Sequence, residues 1–126
     1  MDFQTPLAKV RGLGSAKAGT GHFWMQRITA ISLIPLSFWM VSFTEQLLNA
    51  THAEIISWIA GPVDTVLAIT WVIAAFYHAA LGLQVVIEDY VHTEWMKISS
   101  IWAMKLTFLF FALAAIVAIF RISVLG

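Results

Sequence analysis

Cysteine is absent from this sequence of 126 residues. Its absence excludes a disulfide, a thiolate zinc site, a cysteine-ligated iron–sulfur cluster and a c-type haem attachment, so any metal must rest on His, on carboxylate or on a partner. Charge is scarce too: seven Lys plus Arg and seven Asp plus Glu make up 11% of the residues and cancel to a net charge of zero. A soluble domain covers itself with about a quarter charged residues, and a nucleic-acid binder needs a clustered basic face. Neither is present, which excludes nucleic acid as a partner. Apolar residues fill the place of charge, at 60% of the chain and a mean hydropathy of +0.85. That composition fits a bilayer and not water.

Three stretches are long enough to cross one. Residues 28–44 carry no formal charge between Arg27 and Glu45, and apolar character continues to Leu48. Residues 65–87 form the cleanest run, with only His78 and Gln84 strongly polar between Asp64 and Glu88. A third stretch has a charge-free heart from Leu106 to Phe120, with Lys105 and Arg121 placed where long side chains snorkel. The expectation is an all-α membrane protein, one domain over 1–126, with an arm at 1–26 and transmembrane helices at 27–48, 63–88 and 98–124. Within the third helix, Ala114 and Ala118, flanked by Ala112 and Ala115, make a small-residue stripe suited to close helix packing.

Basic residues orient the spans. Lys9, Arg11, Lys17 and Arg27 precede the first, Lys97 and Lys105 flank the second loop, and the loop from Asn49 to Pro62 has no Lys or Arg. The positive-inside rule then places the N-terminus in the cytoplasm and the C-terminus on the periplasmic side. In the outward loop, Thr51 and Glu54 form a capping-box pattern ahead of Ile55, Ile56, Trp58 and Ile59. That pattern predicts a short interfacial helix, with a turn anchored by Trp58 as the other option. The first 21 residues hold Gly12, Gly14, Gly19 and Gly21 but no h-region and no small-residue cleavage site. They are expected to be a flexible cytoplasmic arm and not a signal peptide.

An ionisable residue inside a span is costly and marks a functional position by default. His78 lies mid-span, eleven residues before Asp89, a separation of roughly 16 Å that returns to within about 20° of the same helix face. Ala74, Ala75 and Gly82 leave that face thin, with room for a flat neighbour such as a porphyrin. From spacing alone three uses stand side by side: an imidazole ligating haem iron, a hydrogen-bonded packing residue between close helices, or a proton relay. Glu88-Asp89-Tyr90-Val91-His92 ends the same span. These residues are either solvated caps with a belt tyrosine or a phenol and carboxylate set to hydrogen-bond and protonate a quinone head. Arg27, with His22 shortly before it, opens the first span in the same leaflet. It is either a topological anchor or a guanidinium for an anionic or carbonyl-bearing ligand such as a haem propionate.

The stretch His78-Ala79-Ala80-Leu81-Gly82-Leu83-Gln84, followed by Glu88-Asp89-Tyr90-Val91-His92, resembles the small hydrophobic anchor subunit of succinate dehydrogenase, respiratory complex II. Gly14-Ser15-Ala16-Lys17, Gly19 to Trp24 and Gln26-Arg27-Ile28-Thr29-Ala30 are similar to its bacterial form. The resemblance implies that His78 is an axial ligand of haem b, the other ligand being a His of a larger cytochrome b anchor subunit packed beside this chain. It implies that Tyr90 hydrogen-bonds a ubiquinone carbonyl, supported by Asp89, and that Arg27 lies near both the haem propionates and the quinone, with His22 near the haem. FAD and iron–sulfur clusters would belong to partner flavoprotein and iron–sulfur subunits. The lack of a presequence favours the bacterial cytoplasmic membrane. Rival functions are a fumarate reductase anchor or a non-redox structural or transport subunit; a single polar face with no broken helix or internal repeat counts against transport.

Overall fold

The computed structural model describes Pro6 and residues 17–126. Four helices follow in order: α1 (Lys17–Asn49), α2 (His52–Ile59), α3 (Pro62–Tyr90) and α4 (Glu94–Leu125). Of these, α1, α3 and α4 are long and apolar enough to cross a membrane. The chain is an all-helical multi-pass membrane protein, as its composition requires, because only helices or closed barrels satisfy every backbone group in lipid.

The first helix departs from the sequence expectation. Residues 17–26 fall in the expected arm, yet α1 is continuous from Lys17 to Asn49, so Gly19 and Gly21 are helical. A Cβ added at either glycine would meet nothing within 4 Å, so neither marks a turn or a close backbone approach here. The glycine-rich pattern misled because isolated glycines are tolerated in helices at a cost of about 1 kcal/mol each. The rest of the expected arm, with Gly12 and Gly14, lies outside the described residues.

The short helix after the first span is present, and the capping box forms it. The Thr51 backbone N–H donates to Glu54 Oε2 at 2.7 Å, the Thr51 hydroxyl donates to the same oxygen at 2.9 Å, and the Glu54 N–H donates to Thr51 Oγ1 at 3.4 Å. The backbone hydrogen bond from Thr51, and then the one from its hydroxyl, hold the Glu54 carboxyl below its ordinary pKa. A lowered folded-state pKa means that the stabilisation is complete above the ordinary carboxylate range and is lost as pH falls through the lowered value. The protection of amides 52–59 against hydrogen exchange, taken relative to the intrinsic rate at each pH, should therefore fall on acidification, and Glu54→Gln should remove most of that pH dependence.

Packing is centred on α3, which contacts α1 on one side and α4 on the other, with α2 against the end of α3 and α4. Gly61 and Pro62 start α3 sharply: Pro occupies the first turn, where its missing N–H costs nothing. A Cβ at Gly61 would lie 3.1 Å from the Trp58 carbonyl oxygen. At this end the Trp39 indole donates to Asp64 Oδ1 at 3.2 Å, tying α1 to α3, and Thr65 bonds the Ser123 hydroxyl at 3.1 Å, tying α3 to α4. Further along, Phe76 meets Phe108 edge-on at 5.8 Å between ring centroids.

The interior is thin. Among the described residues only Leu36, Ala68, Val72, Ala74, Leu81 and Thr29 are buried, and α4 buries none. Ala114 and Ala118 are exposed, whereas Phe108, Ala112 and Ile116 line a groove against α3. Of the small-residue stripe, Ala112 therefore faces α3 while Ala114 and Ala118 do not. Phe108 meets Phe76 across the same contact, where aromatic side chains bury more apolar area.

Candidate functional site

His78 projects from the middle of α3 toward α1, and the residue it meets is Thr29. Nδ1 of His78 lies 3.1 Å from Thr29 Oγ1. The Thr29 hydroxyl also lies 2.7 Å from the Met25 carbonyl oxygen and 3.1 Å from that of Gln26. Thr29 is 7% exposed and His78 half-buried. Nε2 of His78 has no hydrogen-bond partner among the described residues.

On α1, His22, Gln26 and Thr29 follow one another at four and three residues and so share a face. A Cβ at Gly82 would lie 3.7 Å from Gln26 Nε2, which puts that face against the thin side of α3. Ala74 is buried on this side. The thin face that composition opens to a flat ligand is thus occupied over part of its length by α1. Three polar atoms along or beside the seam are buried without a partner among the described residues: His22 Nε2, Gln26 Oε1 and Trp71 Nε1. Buried polar groups are rarely left unpaired, so each is a place that water or a polar ligand edge satisfies.

The antiparallel register of α1 and α3 separates residues that sequence alone leaves in one group. Arg27 is two residues from Thr29, about 3 Å along α1 toward the Tyr90 end, whereas Asp89 and Tyr90 lie roughly 16 Å or more beyond His78. Arg27 also points about 160° away from the Thr29 face. It is exposed, with its guanidinium carbon 4.9 Å from the Phe23 ring centroid. This chain therefore does not bring Arg27 together with Asp89 and Tyr90. Both of the latter are exposed at the last turn of α3, Tyr90 at 78%, and nearby Gln84 Nε2 donates to Glu88 Oε1 at 3.0 Å.

Sequence reasoning missed Thr29, Gln26 and Trp71 as parts of the seam. The signal was available for the first two, since their spacing from His22 is a polar helical stripe in a span that is otherwise apolar. Among the described residues no cluster of three or more His, Cys, Asp or Glu could hold a metal ion. An iron ligated by His78 must bring its other ligands from elsewhere.

The succinate dehydrogenase/fumarate reductase transmembrane subunit family matches residues 1–120. The chain belongs to that family. A succinate dehydrogenase hydrophobic membrane anchor subunit of Rickettsia bellii is 40% identical over 119 residues, covering 94% of this chain and 95% of that protein. The subunit of the same name from Rickettsia conorii is 34% identical over 120 residues, with the same coverage of both chains. That of Paracoccus denitrificans is 26% identical over 90 residues, covering 71% of this chain and 70% of its own length. No solved structure matches.

Proposed function

We propose that this chain is the small hydrophobic anchor subunit of a bacterial succinate:ubiquinone oxidoreductase, in the cytoplasmic membrane with its N-terminus cytoplasmic and its C-terminus periplasmic. The observation that carries the proposal is the mid-span imidazole of His78, whose Nε2 has no partner among the described residues, in a chain of the succinate dehydrogenase/fumarate reductase family. The names of the most similar relatives favour the succinate-oxidising member of the pair.

The donor set fits haem b. A porphyrin supplies four of the six iron ligands, so one imidazole from this chain and one His from a larger cytochrome b anchor subunit complete it. Bound there, the haem supplies one-electron chemistry inside the membrane. His78 holds the iron through Nε2. Arg27, exposed and close in depth to His78 though turned from the Thr29 face, would offer a guanidinium for a charge-assisted pair with a propionate, and His22 Nε2, without a partner among the described residues, is a donor or acceptor on the same helix. Thr29 and Gln26 cover the middle of the α1–α3 seam.

At the end of α3, Tyr90 donates a hydrogen bond from its phenol to a ubiquinone carbonyl and Asp89 supports that site or its protonation, the two electrons of the reduction coming from the iron–sulfur subunit. The exposure of both residues suits a pocket completed by the larger anchor and iron–sulfur subunits. Arg27 bears on the haem side more than on the quinone, given its separation in depth from Tyr90. Flavin and iron–sulfur chemistry reside in the flavoprotein and iron–sulfur subunits, since this chain has no cysteine.

The membrane complex purified through a tag on this chain tests the whole proposal. The expected result is co-purifying flavoprotein and iron–sulfur subunits, a b-type reduced-minus-oxidised difference band, and succinate-driven ubiquinone reduction. Quinone reduction by a colourless complex would identify a haem-free anchor. A chain that purifies alone, without either signal, would overturn the proposal.

A further inference from the structure

The shortest contact of the Thr29 hydroxyl gives a direction to the mid-span hydrogen bond between α1 and α3. Thr29 Oγ carries one hydrogen, and two carbonyl oxygens lie within its reach, that of Met25 at 2.7 Å and that of Gln26 at 3.1 Å. The Met25 contact is the shortest of the three, and a carbonyl oxygen only accepts, so we assign the hydroxyl hydrogen there. Toward His78, 3.1 Å away, Thr29 in this arrangement offers a lone pair and Nδ1 is the donor, whereas the other imidazole tautomer would reverse the bond. A neutral imidazole that carries its hydrogen on Nδ1 has its free lone pair on Nε2.

From this geometry we infer that Thr29 is a positioning residue, whose buried hydroxyl holds His78 in the Nδ1–H tautomer, fixes the ring plane and leaves Nε2 as the metal-binding nitrogen. The inference deepens the haem assignment above and rests on it for the identity of the metal. Ligating histidines commonly donate their second ring N–H to an oxygen acceptor, which orients the ring and makes the ligating nitrogen more basic. Here the acceptor is supplied by a different helix, so the α1–α3 packing sets the ligand's direction. Burial keeps water from taking the acceptor's place, since Thr29 is 7% exposed. A basic ligand favours the oxidised iron, so the hydrogen bond lowers the midpoint potential of the haem.

Two substitutions at Thr29 separate the hydrogen bond from packing. Thr29→Val keeps the branched shape and removes the acceptor; Thr29→Ser keeps the acceptor and removes a methyl group. In the intact complex, Thr29→Val should raise the haem midpoint potential and weaken haem retention about tenfold or more, and Thr29→Ser should restore both toward the parent. A Val variant with parental potential and haem affinity would overturn the inference while leaving the haem assignment standing. So would a Ser variant that behaves like Val, which would make the effect one of volume. A parent complex with no b-type haem would remove the haem assignment, and the inference would fall with it.

Discussion

His78→Ala is expected to abolish the six-coordinate, low-spin signature of the haem in the assembled complex. In a bis-imidazole site each nitrogen is one of two axial donors, and losing one leaves the iron five-coordinate and high-spin. Low-temperature electron paramagnetic resonance and the reduced-minus-oxidised spectrum read this directly. The effect on folding should be small by comparison. His78 is half-buried and its described tie to the rest of the chain is the bond to Thr29 at 3.1 Å, a net contribution of about 1 kcal/mol. A packing histidine would show the opposite pattern, with lowered thermal stability and an unchanged low-spin spectrum. That result would remove His78 from the haem and leave it as a helix-pairing residue.

Tyr90→Phe should lower succinate-driven ubiquinone reduction by about a hundredfold, while succinate oxidation by artificial dyes and the haem spectrum stay at parental levels. Only the hydroxyl is removed, and at 78% exposure the ring makes little contact within this chain. Exposed substitutions of this kind shift stability by only about 0.5 kcal/mol. A loss confined to quinone therefore reports the hydrogen bond and not a failure to assemble. Parental quinone reduction would reject Tyr90 as the quinone donor, and equal loss of dye and quinone activity would point to disturbed docking of the soluble subunits.

Much of the fold was legible before any coordinates. Three apolar stretches became α1, α3 and α4 because a bilayer accepts few other arrangements of such runs. The Thr51–Glu54 spacing became the first turn of α2 because both halves of a capping box lie within three residues. The shared face of His78 and Asp89 follows from helical period alone. Legibility failed where glycine served as a proxy for irregular chain, so that Gly19 and Gly21 suggested an arm where α1 is helical. The small-residue stripe of α4 was legible only as a pattern: Ala112 lines the groove against α3, whereas Ala114 and Ala118 are exposed.

Sequence by itself determined the environment, the number of spans, the capped turn and the depth of each ionisable residue along its own helix, because these depend on composition and on spacings of a few residues. The tertiary structure alone decided what faces what. It set Thr29 against His78 and Gln26 against Gly82, turned Arg27 away from that seam, and put it some distance in depth from Asp89 and Tyr90. Those outcomes depend on the register between two antiparallel helices, which is fixed by contacts between residues about fifty positions apart in the chain, |i−j| = 49 for Thr29 and His78. No local period encodes such a register, since sliding one helix along the other leaves every short-range spacing unchanged.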